Sequence, residues 1–375
     1  MKIYNMFRLH YSVGVIMFVL FASIPINIKD SLAIENLTQW FSSAFEFNNP
    51  GAKSKGIGGA FVGKADDATA AVANPAGLAQ LPGLRLYVEG RFSTWDTRFK
   101  AWPHDPTATP FAFTPPGVIA TSTQEAEINF DDMTDLSFAS ITFPVKYKPY
   151  NIEFNASFFY NKLTNKDTEI TLPMTFQVNP LSARPGNAAL MEGFNGDIDL
   201  EIDEYGFSMA KSFFKDKLMF GASISVLLLD IESTWSTTYI DSAGIQHDPL
   251  DTADFDDQFA KIDDRDKDVA FRFGVLYRVT DNLMIGGSAQ IMPEFDYDTD
   301  YILLLDENIA TLTAFTDKSS LSVPDVFSLG LSYQITDNWG VFVEGKYIEY
   351  SDLMKGFVSL WGADRYNFDR ELFDI

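Results

Sequence analysis

Long stretches of the chain alternate between a large apolar residue and a small or polar one. From Leu218 to Val226, the sequence Leu, Phe, Ala, Ile, Val occupies every second position, and Met, Gly, Ser and Ser stand between them. Side chains of a β-strand point alternately to its two faces, so this period of two predicts a strand with one large apolar face. The same period recurs in residues 271–278, 283–291 and 327–334.

Nine stretches follow this pattern clearly, and residues 357–368 follow it weakly as a tenth. The nine predicted strands are 84–99, 136–147, 152–163, 198–214, 217–235, 269–279, 283–297, 321–335 and 339–350. Several exceed the roughly 5–6 residues of an average globular strand. They reach the ~9–11 residues that a strand needs to cross the apolar part of a membrane.

The connections between these predicted strands are alternately short and long. Short turns rich in Asp, Asn and Lys fall at 148–151, 215–216, 280–282 and 336–338, and long polar loops at 100–135, 164–197, 236–268 and 298–320. Loops that are short on one side and long on the other are typical of outer-membrane barrels. We therefore predict an all-β fold, a transmembrane antiparallel β-barrel. The alternative is a soluble β-sandwich, in which the large apolar faces would meet in a dry core.

The first residues have the order of a secretory signal. Lys2 and Arg8 precede an apolar run at 11–24, and the small residues Ser31 and Ala33 offer a cleavage site. The alternative is a membrane anchor, but the apolar run is shorter than the ~20 residues that a spanning helix needs. We predict a signal peptide at 1–33 and a β-barrel at 84–375, with the segment 34–83 between them.

Composition narrows the classes of function. A net charge of −24 argues against nucleic-acid binding, which needs a basic surface. Aromatic residues make up 15% of the chain, as expected where aromatic girdles flank an apolar band. The chain has no Cys, which excludes disulfides, thiol catalysis and cysteine metal sites.

Residues 51–83 are rich in small residues and hold three short motifs, G-x-G-G-A, A-D-D-A and N-P-A. The motif residues are Gly58, Gly59, Asp66, Asp67, Asn74, Pro75 and Ala76. This segment closely resembles the N-terminal plug of FadL-type outer-membrane transporters, which take up long-chain fatty acids and aromatic hydrocarbons. Residues 321–350 also resemble a hairpin of that family.

The resemblance implies that residues 34–83 are an N-terminal plug folded inside the barrel, that a substrate binds among lumen and loop residues, and that it is released sideways into the membrane. It also implies the outer membrane of a Gram-negative-type bacterium as location, with membrane lipid and the barrel-assembly machinery as partners. The family barrel has fourteen strands, whereas nine to ten are predicted here. A C-terminally truncated chain is favoured over a smaller barrel or one completed by a partner. Residues 152–163 contain no Gly or Pro, so the family's kink in the third strand has no counterpart in the sequence.

A fatty-acid carboxylate needs a cationic partner in a partly dry lumen. Alternation puts Arg91, Arg272 and Lys346 on inner faces, which makes them the candidate anchors. The alternative is that they pair with inner carboxylates such as Glu89 and Glu344 and merely fill a polar interior. Apolar candidates for contact with the hydrocarbon tail are Phe61, Leu78, Phe111, Phe113 and Met191. For the candidates in loops, the alternative is local loop packing.

The remaining motifs predict no catalysis. The acidic run at 251–268 lacks the spacing of a calcium loop, and the phosphate-loop-like 58–64 is followed by Ala65 instead of Ser or Thr. With three histidines in the chain, no catalytic triad or metal site can be built. We expect no enzyme activity, no metal and no cofactor. The expected function is passive transport of fatty acids or other hydrophobic small molecules, and the alternative is a non-transporting barrel of a secretion system or of the outer-membrane structure.

Overall fold

The computed structural model describes residues 49–93, 96–100, 118–121, 125–130, 133–147, 149, 152–178, 190–240, 246–247, 251–252, 255–256, 258–304, 312–336 and 338–349. The chain separates into a unit Met1–Ala33 and a unit Ile34–Ile375, and every described residue belongs to the second. The predicted signal peptide and residues 34–48 of the predicted plug lie outside the described residues.

Residues 49–83, the N-terminal segment, hold short helices. These are α1 at Ala52–Gly56, α2 at Ala70–Ala73 and a 3-10 helix at Pro75–Gln80. Gly58 and Gly59 have φ angles of 70° and 82°, which glycine adopts without a steric penalty. Across the described ranges, no helix is long and apolar enough to cross a membrane.

Strands make up most of the rest of the described structure. Their bounds are β1 Arg85–Ser93, β2 Asp96–Lys100, β3 Val118–Thr121, β4 Glu125–Phe130, β5 Met133–Tyr147, β6 Ile152–Val178, β7 Leu190–Phe213, β8 Leu218–Ile240, β9 Gln246–His247, β10 Asp251–Thr252, β11 Phe255–Asp256, β12 Gln258–Thr280, β13 Leu283–Ile291, β14 Glu294–Leu304, β15 Leu312–Ser322, β16 Val326–Thr336 and β17 Trp339–Ile348. The main sheet runs β1-β5-β6-β7-β8-β12-β13-β16-β17. Its neighbours pair antiparallel, which confirms the predicted all-β class.

The large apolar side chains lie on the sheet face that points away from the N-terminal segment. Phe220, Phe273 and Leu329 are 50%, 53% and 67% exposed. Residues at alternate positions, such as Ser223 and Ser328, are buried on the opposite, inner face. The orientation predicted from the alternation is therefore the one observed, and these large side chains do not form a common core.

The predicted long loops are wrong over much of their length. Residues 164–178 continue β6, 190–197 begin β7, 258–268 begin β12, and β14 and β15 form a hairpin across 298–320. Near these extensions the outer positions become charged while the inner ones stay apolar, as at Asp230 and Ile231 of β8. In the extensions themselves the inner positions are polar as well, as at the buried Lys166 and Thr168 of β6, and the many polar residues make these stretches resemble loops.

Two predicted strands are also wrong in extent, because each is interrupted near a proline. β13 and β14 are separated at Pro293, and β15 and β16 at Pro324. Proline has no N–H to donate to a ladder. The two breaks face each other: Met292 N donates to Asp325 Oδ1 at 2.7 Å, and Val323 N donates to Pro293 O at 2.9 Å.

From Phe271 toward its own N-terminus, β12 no longer pairs continuously with the neighbouring strand. β12 pairs with β13 up to Phe271 opposite Ile291, and with β14 from Ile262 opposite Thr299. In the described strands no ladder pair joins the two sides between these points. We call this interrupted stretch the seam.

Carboxylates replace backbone partners within the seam. The backbone N–H of Asp296 donates to Asp266 Oδ2 at 2.9 Å, and that of Asp298 donates to Asp264 Oδ2 at 2.8 Å. Two contacts from aspartate side chains thus join β12 to β14 in place of a continuous backbone ladder.

The N-terminal segment packs backbone to backbone against the inner face of the sheet. A Cβ added to Gly221 of β8 would lie 2.2 Å from the carbonyl carbon of Pro75, and one added to Gly286 of β13 would lie 2.3 Å from Val62 O. Glycine at these inner positions is therefore a requirement of close approach and not of backbone conformation.

We expect Gly221→Ala to destabilise the docked segment, because its methyl group needs space that the backbone of Pro75 occupies. Overpacking of this kind costs about 1–3 kcal/mol. Thermal unfolding in detergent, followed by tryptophan fluorescence, measures it. The matched control is Gly287→Ala, whose Cβ would meet its nearest neighbour, Val275, at an ordinary 3.5 Å. Equal melting temperatures of the two variants would contradict the docked position.

Candidate functional site

Asn74, in the N-P-A motif, ties the N-terminal segment to the sheet. Its side chain is fully buried, and Nδ2 donates to Val62 O at 2.9 Å and to Val275 O of β12 at 3.2 Å. Its Oδ1 accepts from Ala76 N at 3.2 Å and so caps the 3-10 helix that Pro75 begins. One amide side chain therefore satisfies backbone groups of both partners.

Carboxylates hold the segment at both ends of the described strand order. Glu344 of β17 accepts from Val62 N at 2.7 Å and from Asn49 Nδ2 at 2.9 Å. Glu89 of β1 accepts from Ala52 N at 3.0 Å. Because one short segment contacts both β1 and β17, the sheet curves around it.

Other motif residues have local roles. Asp66 forms an ion pair with Lys53 at 2.6 Å. Asp67 accepts from Thr69 N at 2.9 Å and from Thr69 Oγ1 at 2.6 Å. These contacts shape the turn that leads into α2, and they do not reach the sheet.

The interior beside the segment is a packed apolar cluster, which we call the lower cluster. Phe61 and Leu78 of the segment are fully buried in it. From the sheet it includes Met219 of β8 and Leu276 of β12. Phe61 and Leu78 thus pack the segment against the sheet, and contact of either residue with a ligand stays a prediction.

We use "above" for the direction along the strands that leads from the N-terminal segment toward the seam. A buried polar layer around Arg272 of β12 and Glu204 of β7 lies above the lower cluster. The two side chains are 1% and 0% exposed and form a two-pronged ion pair, in which Arg272 Nη1 contacts Glu204 Oε1 and Nη2 donates to Oε2 at 3.0 Å. Asn161 Nδ2 donates to Glu204 Oε2 at 3.0 Å. Arg272 further donates to Gln290 Oε1 and to Ser225 Oγ, both at 3.2 Å.

A second apolar cluster, the upper cluster, lies above this layer. Its buried members are Leu200, Ile202, Leu227, Leu229, Ile231, Ala270, Phe295, Tyr297, Leu321 and Val323. Phe295 and Tyr297 belong to β14, which borders the seam, and Ala270 belongs to the β12 side of it. The upper cluster therefore lies on the interior side of the interrupted wall.

Two cavities adjoin these layers. A small one of about 40 Å³ is lined by Arg91, Asn161 and Arg272, among others, and has room for water-sized molecules and not for a hydrocarbon chain. A larger one of about 560 Å³ lies at the other end of the segment, where Arg85 and Asp216 are among its lining residues.

The predicted cationic anchors occupy different surroundings. Arg91 lines the small cavity and lies opposite Asp135 in the β1–β5 ladder. Arg272 is bound by Glu204, and Lys346 Nζ lies 3.5 Å from Glu344 Oε1. The structure brings Arg91 and Arg272 to one cavity, and carboxylate binding by any of the three stays a prediction.

Of the apolar candidates predicted in loops, Met191 alone lies among the described residues. Phe111 and Phe113 lie outside the described residues. Met191 was predicted in a loop, but it lies in β7, opposite Phe176 of β6 and Tyr239 of β8. In the portion of the chain that the structure describes, no group of three or more His, Asp and Glu residues could hold a metal ion.

Sequence reasoning missed Glu204 and the upper cluster. Glu204 stands two residues from Ile202 on the inner face of a strand whose other inner members are small or apolar. That isolated carboxylate was the available signal, since a buried acid requires a partner. Its partner, 68 residues away, follows from the β7-β8-β12 pairing and not from the local pattern.

On the outer face, above the exposed apolar band, carboxylates occupy adjacent strands. Asp199 of β7 lies opposite Asp167 of β6 and Glu232 of β8. Partial burial is the largest cause that raises the pKa of Asp199 to about 6. The further causes are the negative charges of Asp167, Glu201, Glu232 and Asp230.

Comparisons with known proteins give little beyond this geometry. No family model and no curated protein sequence matches the chain. A crystal structure of a Pseudomonas aeruginosa FadL homologue is similar to it with a TM-score of 0.45 and 12% identity, over 82% of this chain and 70% of that one. A likeness of this size carries no argument about function, which has to come from the residues themselves.

We expect Asn74→Ala to lower the free energy of unfolding by about 2 kcal/mol or more, because buried backbone groups lose a partner. Chemical unfolding in detergent, followed by tryptophan fluorescence, gives the value. Asn282→Ala, in the exposed turn after β12, is the control and should change it by less than about 0.5 kcal/mol. Similar small effects of both variants would contradict the anchoring role of Asn74.

We expect Asp199→Asn to raise the melting temperature at about pH 7.5 and to leave it nearly unchanged at about pH 4. The folded-state pKa of Asp199, about 6, lies above its unfolded value, so ionising it costs stability as the pH rises through about 6. Melting curves across this pH range test the sign. Asp281→Asn, in the turn after β12, is the control, and a gain of equal size at both pH values for Asp199→Asn would refute the stated cause.

Proposed function

We propose that the chain is an outer-membrane β-barrel of a Gram-negative-type bacterium, plugged by its N-terminal segment, that carries hydrophobic small molecules passively across the membrane. The observation that carries the proposal is an apolar interior cluster lying directly behind an interrupted stretch of the wall. Fatty acids and uncharged hydrocarbons both belong to this class of substrate. Membrane lipid and the barrel-assembly machinery are the partners that such a protein requires.

The exposed apolar face supports the membrane location. Residues such as Leu86, Phe273 and Leu329 are more than half exposed on several strands of one sheet. Soluble monomers rarely expose apolar patches larger than a few hundred Å². Lipid is the environment in which such a face is stable, provided that the sheet closes so that no strand edge stays unpaired. The segment that links β1 to β17 favours that closure.

The upper cluster supports a hydrophobic substrate. Its leucines and aromatics would offer an incoming hydrocarbon the contacts that they now make with one another. Burial of each CH₂ group is worth about 0.8 kcal/mol, so even a short chain gains several kcal/mol on leaving water. The polar layer below it, with Arg272 and Glu204, would stop such a chain from continuing through the lumen.

The seam supports sideways release. A molecule that leaves through a barrel wall must separate a pair of neighbouring strands, and each intact ladder bond opposes this. At the seam two carboxylate contacts, from Asp264 and Asp266, replace that ladder. Its lower end, at Phe271 and Ile291, lies among the exposed apolar residues that would face lipid. Opening it would connect the upper cluster with the membrane.

A non-transporting barrel is the second candidate. The observation that favours it is that both interior clusters are packed, and that Arg272 already has an acidic partner. Such an interior would serve stability alone. The two candidates differ in whether the seam has to open.

A disulfide across the seam separates them. The backbone N–H of Asp296 donates to Asp266 Oδ2 at 2.9 Å, so these two residues adjoin each other across the seam, and the chain has no cysteine of its own. We expect Asp266→Cys/Asp296→Cys, once oxidised, to lower uptake of tritiated dodecanol by about tenfold or more, with recovery on reduction. The full chain is expressed in intact Gram-negative cells, whose outer leaflet provides the barrier.

The control is Lys261→Cys/Asp300→Cys, a register pair just beyond the seam where the ladder is intact. Oxidation of this pair should leave uptake unchanged. Unchanged uptake in the oxidised seam variant would overturn release at the seam. Uptake no greater than in cells without the protein would overturn transport and support the structural role.

A further inference from the structure

Arg272 has no donor to spare among the described contacts. A guanidinium carries five N–H groups. Four contacts to oxygen involve Glu204 twice, Ser225 once and Gln290 once, and a remaining N–H of Nη2 points to Met292 Sδ at 3.9 Å. A ligand carboxylate that approached Arg272 would find its directions of hydrogen bonding taken.

Glu204 also cancels the charge that would attract a carboxylate. It is the acid in contact with Arg272, and the other oxygen-bearing partners, Ser225 and Gln290, are neutral. The pair is fully buried, so an ionised ligand would add an unpaired negative charge to a dry layer, which is strongly unfavourable. An uncharged molecule meets no such penalty.

Arg91 and Lys162 are the other cations of the same cavity, and their surroundings decide how far this reasoning extends. Lys162 already forms ion pairs with Glu201 and Asp203. Arg91 lies on β1, opposite Asp135 across the β1–β5 ladder. A carboxylate that bound through Arg91 would be insensitive to Glu204. Binding to the two sites is therefore distinguishable.

We propose that Glu204 determines specificity: by occupying Arg272 with its own carboxylate, it makes the interior select uncharged hydrophobic molecules over hydrophobic carboxylates. The proposal rests on the proposed function and narrows its substrate class. Glu204 acts as a permanent internal counter-ion in the position that a ligand carboxylate would need. Removal of its charge should convert the layer into an anion site.

The test compares dodecanol with dodecanoate at about pH 9, where a carboxyl group is ionised. Binding of each tritiated ligand is measured with the full chain in lipid nanodiscs and corrected with empty nanodiscs. We expect the unmodified protein to bind dodecanol at least about tenfold more tightly. Glu204→Gln should strengthen dodecanoate binding by about tenfold or more and change dodecanol binding by less than about twofold.

Thermal stability provides a second readout. Glu204→Gln leaves a buried cation without its acid, which should lower the melting temperature. Dodecanoate should restore it and dodecanol should not. Because this variant can fail to fold, Glu204→Gln/Arg272→Met removes both charges and should fold, bind dodecanol and reject dodecanoate. Glu294→Gln, the same change at an exposed position of β14, should behave as the unmodified protein.

The outcomes separate two failures. If the unmodified protein binds both ligands equally, or if Glu204→Gln binds dodecanoate no better while folded, the role of Glu204 is overturned, and Arg91 and Lys162 become the anchors to test. Dodecanoate binding that survives in Glu204→Gln/Arg272→Met also overturns it. If the unmodified protein and the folded variants bind neither ligand, the proposed transport function itself is overturned.

Discussion

The close contact between the N-terminal segment and the inner face of the sheet is the constraint on which the described structure depends. The segment's helices have five, four and six residues, so many of its backbone groups need partners outside the helices. The sheet supplies them: Asn155 donates to Leu78 O at 2.6 Å, and Ser223 donates to Ala71 O at 2.9 Å. Small inner residues are what allow this approach, and they leave the bulky residues to the outer face.

The inner residues of the sheet differ between the part that the N-terminal segment covers and the part above it. Beside it, inner positions of β8 hold glycine and serine, and above it the same face carries Leu227, Leu229 and Ile231. Side chains fill the interior where no segment does. Outside, the apolar face changes to charged residues at a similar height, as at Asp230 and Glu232 of β8. Arg272 and Glu204 mark the level at which both faces change.

The sequence alone was sufficient for the strand class, for the face that each strand presents and for the position of the Asn74 motif, because these depend on local alternation and turn chemistry. Strand length was underestimated because polar and charged residues, such as Lys166 and Asp167 of β6 and Arg265 of β12, make the ends of these strands resemble loops. The prolines at 293 and 324 are evident in the sequence as candidate strand breaks. The contact between the two breaks could not be predicted, because it requires the pairing of strands that are distant in the sequence.

The candidate site was less accessible to sequence reasoning. Arg272 could be assigned to an inner face, whereas its partner could not, because nothing local to Glu204 specifies which strand lies opposite. Phe61 and Leu78 could be recognised as buried apolar residues, yet only the packing of the segment distinguishes a wall contact from a ligand contact. Long-range pairing, and not residue type, is the missing information in each case.

The central claim is that the large apolar side chains of the sheet face lipid. Nitroxide labels on single cysteines at Leu329 and Ser328 test it most directly, because the native chain has no cysteine and these neighbours are 67% and 8% exposed. In liposomes, collision with oxygen, which concentrates in lipid, should be frequent at position 329 and rare at 328. The reverse order, or accessibility to a water-soluble nickel complex at 329, would contradict the account.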